Sequence, residues 1–349
     1  MKLLVYADLQ ATDGDERCFN DPNTPLQLFR VRKFYRDLYS VFTQNACAGL
    51  VDLGDTTDDR TAIPVPVIDA VIAGLEPFPV LDTNFKIIGN HEQYLRNASV
   101  DVGRMFSGRF NVLHNQIVQH GGNRVLFFVS YPEDNDHDKL ARWLDTQTMK
   151  YRKFTKVLFG HFQIVGSALN SGPAVTGVPF EIIKRFDLAL LGHIHKPQSF
   201  TSRIHYVGSP FQQNWGEADE AKRVALVDLD SLSVEWVATG AFPVYINSTL
   251  AGFKAGFDPA SEDRWRVTLA NHAETEEWFA LPYSNRFEAV YAYETVGAEG
   301  GSGTLAESGW SLEGAMQRYM TRLPPSEQGI EIAEQELLEI GLSLARGET

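Results

Sequence analysis

Five times in the first 195 residues, a short apolar run stops at a glycine or a carboxylate and is followed at once by side chains that can bind a metal. The clearest case is Leu188-Ala189-Leu190-Leu191-Gly192, with His193 and His195 just beyond it. If the backbone stays extended there, the two imidazoles share one side, and a divalent cation is the commonest reason to gather neutral imidazoles. The other four runs are residues 3–7 before Asp8-Leu9-Gln10, 49–53 before Gly54-Asp55-Thr56-Thr57-Asp58, 85–88 before Gly89-Asn90-His91-Glu92, and 157–159 before Gly160-His161. Taken singly, each reads as well as a capped turn or a structural histidine. Taken together they constrain the fold. Between them Leu28, Val31, Tyr35, Leu38 and Phe42, and then Val67, Ile68, Val71, Ile72 and Leu75, recur at helical spacing. Strands alternating with helices predict an α/β sheet whose functional groups gather at the carboxyl ends of the strands.

With 349 residues, 44% of them hydrophobic, the chain can bury a full core and carry a smaller second domain. No apolar run approaches the length of a membrane span, and the first run is too soon interrupted by Asp8 to be a secretory core, so a cytoplasmic protein is expected. Cys18 and Cys47 alone give no disulfide framework and no thiolate metal site. A net charge of −14 argues against indiscriminate binding to polyanions, though it leaves room for a local basic face. Two basic clusters could supply phosphate contacts: Lys150, Arg152, Lys153 and Lys156 with Tyr151 and Phe154 interleaved, and Arg30, Arg32, Lys33 and Arg36. Such clusters are more often solvated helix faces. His114, His120, His137, His205 and His272 have no companion motif and read as structural or solvent-facing.

In chain order, Asp8-Leu9-Gln10, Gly54-Asp55-Thr56-Thr57-Asp58, Gly89-Asn90-His91-Glu92, Gly160-His161 and Gly192-His193-Ile194-His195 resemble the five signature blocks of the calcineurin-like metallophosphoesterases. The resemblance implies an α/β, four-layer sandwich, two mixed sheets flanked by helices, over residues 1–240. It implies a site for two divalent cations, one held by Asp8, Gln10, Asp55 and His195, the other by Asp55, Asn90, His161 and His193, with Asp55 as the bridge. His91 is left off the metals as the general acid, and Asp58 orients its ring and supports its protonated form. Oxygen and imidazole donors suit manganese, or magnesium, better than a thiolate-seeking ion. Such a pair can bind a phosphodiester, activate water and stabilise the charge that grows in an in-line displacement. One position departs from the family pattern: Gln10 stands where the family usually has histidine. An amide oxygen is a weaker donor than imidazole, so the first site is expected to hold its metal loosely, to fill only with substrate, or to be coordinated differently.

Tyr206-Val207-Gly208-Ser209-Pro210 resembles the Gly-Ser-Pro turn of the SbcD subgroup, the nuclease subunits of double-strand-break repair in bacteria and large phages. This implies DNA as substrate, with exonuclease action on duplex ends and endonuclease action on single strands or hairpins. It also implies a homodimer and, as partner, an SbcC-type ATPase with long coiled coils. Residues 224–227 and 234–237 read as a hairpin closing the nuclease domain. Residues 241–296, with strand-like stretches at 266–269 and 288–293, correspond by position to a small α+β capping domain that helps select DNA geometry. Residues 297–310 read by composition as a flexible linker, and 311–349 as a helix-loop-helix tail around Pro324-Pro325. Its second helix carries Ile330, Ala333, Leu337, Ile340 and Leu344 at spacings of alternately three and four, the seam of a helix that packs along another helix, here the expected ATPase contact. Two other readings use the same residues. A phosphoesterase of small substrates fits the acidic charge, and a DNA-end scaffold would follow from a metal site weakened at Gln10.

Overall fold

The computed structural model describes residues 1–94, 100–169, 172–240 and 242–292. Met1–Ala292 form one compact unit. The linker and tail expected at 297–349, including Ile330, Ala333, Leu337, Ile340 and Leu344, lie outside the described residues.

Strands buried on both faces favour apolar side chains at nearly every position, which is why they read as near-continuous apolar runs. Leu3 and Val5 point into a core shared with Val157, Phe159, Leu188 and Leu190, whereas Leu4 and Tyr6 point the other way, onto helix Leu26–Gln44. The same alternation sends Val157 and Phe159 inward and Leu158 outward. Two sheets therefore lie face to face, each with helices on its outer side, and Phe128 stacks on Phe159 in the middle at 5.3 Å and 16°. This is the four-layer α/β sandwich.

In spatial order the first sheet runs Ser233–Ala238, Arg223–Asp228, Lys2–Tyr6, Gly49–Asp52, Phe85–Lys86, Asn111–Val112, and its last four strands are parallel. The second runs Gln198–Thr201, Ile204–Tyr206, Leu188–Gly192, Thr155–His161, Arg124–Val129, Gln116–Gln119, with the middle four parallel. Tyr6 lies opposite Asp52, and Gly192 opposite His161, so the carboxyl ends of parallel neighbours coincide. The hairpin Arg223–Asp228/Ser233–Ala238 closes one edge, pairing antiparallel with Lys2–Tyr6.

Helix Leu26–Gln44 starts after Pro25 and buries Leu28, Val31, Phe34, Tyr35, Leu38 and Phe42. Each such side chain withdrawn from water contributes roughly 1.5–3 kcal/mol. Val65–Leu75 packs beside it through Val67, Val71 and Leu75, while Ile72, expected on the same stripe, is 43% exposed. Gly74 allows the close approach, because a Cβ there would lie 2.3 Å from the Tyr35 ring. On the second sheet, helix His137–Lys150 buries Leu140, Ala141 and Leu144, and Asp136 caps it by accepting the Lys139 N–H.

Beyond the sandwich, Tyr245–Thr249, Arg264–Leu269 and Glu288–Tyr291 form a parallel three-stranded sheet joined by helices Leu250–Gly256 and His272–Ala280. Its own core is Leu250, Phe253, Trp265, Val267, Leu269 and Trp278. The module is anchored by Arg30, whose Nη2 donates to the Pro243 carbonyl at 2.7 Å, and by Glu262, which accepts the Asn20 N–H at 2.8 Å. Arg30 is thus fully buried, a strut and not part of a free basic face. The second basic cluster is also partly internal: Lys156 is buried and paired with Asp187 at 3.5 Å, and Tyr151 and Phe154 pack onto the core under helix His137–Lys150.

Candidate metal centre

The parallel strands of both sheets end at one edge, and the turns after them carry the predicted residues. Asp8 (φ 52°), Gln10 (φ 44°), Asp55 (φ 55°) and His193 (φ 88°) all adopt the left-handed conformation. Non-glycine residues held there cost on the order of 1–3 kcal/mol each and persist only where their surroundings fix them. Here the fixing bonds run between the turns: Asp8 N–H to the Gly54 carbonyl (3.1 Å), Gln10 N–H to the Asp55 carbonyl (2.8 Å), and His193 N–H to both Asp8 carboxylate oxygens (2.9 and 3.1 Å). Gly89 is required by contact, since a Cβ would lie 2.0 Å from Asp55 Oδ1.

Asp55, His161 and His193 present ligand atoms that all lie within 4.8 Å of one another. Asp55 Oδ2 is 3.2 Å from His161 Nε2, and Asn90 Oδ1 is 3.3 Å from His161 Nε2 and 2.8 Å from His193 Nδ1. His161 donates its Nδ1–H to the Leu53 carbonyl at 2.7 Å, which turns Nε2 toward the cluster, where a bound cation would take the place of its proton. Burial would lower the His161 pKa, but the charges of Asp55 and Asp8 outweigh it and lift it to about 9. Burial, reinforced by His161, pushes His193 down to about 3, the neutral state a ligand needs. Burial would raise the Asp55 carboxyl; the opposing pull of His161 and His91 brings it well below the usual range. A carboxylate, an amide oxygen and two imidazole nitrogens converging in a buried space fit a divalent cation.

Asp8 is buried beside them, with Oδ1 3.9 Å from His161 Nδ1, and its charge favours the protonated form of His195 across the edge. The structure therefore brings Asp55, Asn90, His161 and His193 into one cluster with Asp8 against it, while His195 follows two residues after His193 at the same strand end. Gln10 is held there through its backbone, and its side chain is half-buried. If that amide is the weak ligand, Gln10→His should tighten the weaker step of manganese binding measured by calorimetry, and an unchanged isotherm would remove Gln10 from the ligand set.

His91 sits at the rim, 32% exposed, with Nδ1 2.7 Å from the Asp58 carbonyl and 3.2 Å from the Asp58 carboxylate. Nδ1–H donates to Asp58, so in the charged ring the second proton is on Nε2. Hydrogen bonding to Asp58 raises the His91 pKa to about 9 against the effect of burial. The His91 backbone N–H donates to Asp55 Oδ1 at 2.8 Å, tying this ring to the candidate bridging carboxylate.

Two buried carboxylates complete the scaffold and were given no role from sequence. Glu92 accepts N–H bonds from Asp55 and Thr56 (both 3.0 Å) and Gly89 (3.1 Å), and pairs with Lys86 at 2.8 Å. Lys86 also meets Asp52 at 3.0 Å, and Tyr6 donates its hydroxyl to Asp52 at 2.9 Å. A signal was present: Asp52 and Lys86 interrupt two neighbouring apolar runs and are register partners. Lys86→Met should cost about 3–5 kcal/mol, because it leaves two buried carboxylates without their cation, and thermal melting would show it. The other carboxylate is Glu217, whose Oε1 lies 2.7 Å from His195 Nδ1. Burial would raise its pKa, but His195 and Lys222 hold it down to about 2.

A mixed sandwich that gathers carboxylate, amide and imidazole donors at one strand edge defines a class of metal-dependent phosphoester hydrolases. Residues 1–197 match the calcineurin-like phosphoesterases, and the chain belongs to that family. Among solved structures, it is similar to a dimetal phosphatase from Danio rerio at 13% identity, covering 69% of this chain and 99% of that one with a TM-score of 0.41. It is similar to the calcineurin-like phosphoesterase YfkN from Bacillus subtilis at 14% identity, covering 68% and 88% with a TM-score of 0.40. It is also similar to GAP50, the anchor in the inner membrane complex of Plasmodium, at 11% identity, covering 86% and 99% with a TM-score of 0.44. No curated protein matches the sequence. Among the described residues no helix is long and apolar enough to cross a membrane.

Proposed function

We propose that this calcineurin-like phosphoesterase is a metal-dependent phosphodiesterase that acts on DNA, in the manner the SbcD resemblance implies. The observation that carries the reaction class is Asp55, a buried carboxylate with one oxygen at His161 and the other at the backbone of His91. Asp8, Gln10, Asp55 and His195 would hold one divalent cation and Asp55, Asn90, His161 and His193 a second, most simply manganese or magnesium, which would clamp the phosphoryl oxygens and offset the charge developing on them. Glu92 holds the Asp55 turn in place. His91 carries a proton on Nε2 for the departing oxygen, and Asp58 fixes its ring.

Two features favour DNA over a small phosphoester. Gly208-Ser209-Pro210 is wired to a candidate ligand, because the Ser209 N–H donates to the His195 carbonyl at 3.0 Å and its hydroxyl to Glu217 at 3.1 Å. In addition, a groove of about 320 Å³ runs between the 14–20 loop and the small module, lined by Arg17, Phe19, Trp215, Arg286 and Phe287 and also by Glu16 and Glu288. The Arg264 guanidinium lies 3.8 Å over Phe19, and Arg266 lies 4.3 Å over Trp215. Arg264 is buried and Arg266 is paired with Glu288 at 2.7 Å, so the surface offered to a nucleic-acid strand is the exposed Arg17 and Arg286 beside Phe19.

Incubating the protein with manganese and labelled duplex, single-stranded and bis-p-nitrophenyl phosphate substrates tests this reading. Cleavage of the small ester with no cleavage of either DNA would leave the phosphoesterase and remove the nuclease. The homodimer and the SbcC-like ATPase belong to the same proposal, with the seam at Ile330, Ala333, Leu337, Ile340 and Leu344 as the ATPase contact. Leu337→Glu should weaken co-purification with such an ATPase, since burying an unpaired carboxylate costs a few kcal/mol. Unchanged capture would move the interface elsewhere.

A further inference from the structure

We propose that Glu217 is a positioning residue of the first metal site, fixing the tautomer of His195 and strengthening its donor nitrogen on the metal that Gln10 binds only weakly. The inference rests on the two-cation reading above. Glu217 Oε1 lies 2.7 Å from His195 Nδ1, and a carboxylate at that distance takes the Nδ1 proton as a hydrogen-bond donor. The ring then offers its Nε2 lone pair, and the negative partner makes that nitrogen more basic.

The carboxylate is built in. Its side chain is 4% exposed, and besides His195 it is met by Lys222 Nζ at 2.7 Å, the Ser209 hydroxyl at 3.1 Å and the Gln213 N–H at 3.2 Å. A buried carboxylate with this many donors holds one orientation, and so does the ring bound to it. The rest of His195 is held as well, because Lys222 Nζ and the Ser209 N–H both donate to its carbonyl at 3.0 Å. Gln213 extends the same frame to another candidate ligand of this metal, its side-chain amide donating to the Asp8 carbonyl at 2.7 Å.

The three candidate histidine ligands are oriented differently. His161 gives its Nδ1–H to the neutral Leu53 carbonyl, and His193 faces Asn90 Oδ1 with Nδ1. His195 is the one whose Nδ1 is within hydrogen-bond distance of a carboxylate. It is also the one assigned to the same cation as Gln10. The weakest donor and the most strongly polarised imidazole thus fall on one metal, and the second compensates for the first.

The test uses the full chain, stripped of metal, titrated with manganese by calorimetry. Glu217→Gln keeps the size of the side chain, removes its charge, and leaves one accepting oxygen in place of the two that now face His195 and Lys222. The expected result is that the weaker binding step loses about tenfold or more in affinity while the tighter step is unchanged. Adding Gln10→His to Glu217→Gln should restore that step. A merely structural Glu217 would lower the melting temperature and weaken both steps together, which overturns the proposal, as does an unchanged isotherm. Wild-type protein that takes up only one equivalent of manganese would overturn the two-cation reading itself.

Discussion

Asp55→Asn is expected to abolish phosphodiester cleavage while leaving the fold in place. Asparagine has the same shape, its oxygen can still accept the His91 N–H, and the backbone N–H of residue 55 still reaches Glu92. What disappears is the negative charge facing His161 and, in the proposed site, the one ligand common to both cations. Losing several kcal/mol of charge stabilisation at about 1.4 kcal/mol per tenfold corresponds to roughly three decades in rate. His193→Ala should act in the same direction by removing a neutral donor from the second cation. Metal content by plasma spectrometry, melting temperature and turnover of bis-p-nitrophenyl phosphate separate the effects. A variant that is folded and depleted of metal fits, and near wild-type turnover in either one would end the shared-carboxylate assignment.

The sandwich and its site edge were legible because both rest on local pattern. A strand buried on both faces is apolar nearly throughout, and Leu3–Tyr6 and Leu188–Leu191 are fully buried as such runs require, with the paired Asp52 and Lys86 as the exception. Turns that hold Asp55 and His193 in left-handed conformations are marked by the glycines before them, Gly54 and Gly192, whereas Asp8 adopts that conformation with no glycine beside it. Other features were set by tertiary contacts that no spacing encodes. Strand Tyr245–Thr249 carries Asn247, Ser248 and Thr249 and is weakly apolar, yet it pairs along its whole length with Arg264–Leu269. Glu217 belongs to no motif, and only the packing of its turn against His195 reveals what it touches. Arg30 shows the opposite error of expectation: a charge on a helix face reads as solvated, but the small module covers it and supplies the Pro243 carbonyl.

His91→Ala should keep manganese binding and lose turnover, because the ring faces the site from Asp58 and is not one of the assigned ligands. General acid catalysis is worth about 10²–10⁴-fold, and the loss should depend on the leaving group. The p-nitrophenolate ion departs readily without a proton, whereas the alkoxide of a DNA sugar needs one, so the variant should be impaired far more on an oligonucleotide than on bis-p-nitrophenyl phosphate. The pH profile carries the same assignment. With its pKa raised to about 9, the wild-type ring is protonated and competent below that value, and activity on DNA should fall as pH rises through it. Bound cations oppose a nearby positive charge and place the limb at or below about 9. The largest cause of the raised value is the hydrogen bond to Asp58, so Asp58→Asn should move the alkaline limb to lower pH, and His91→Ala should remove it. An alkaline limb unmoved in Asp58→Asn, or metal lost from His91→Ala, would take the general acid away from His91 and make the pair a structural brace of the Asp55 turn.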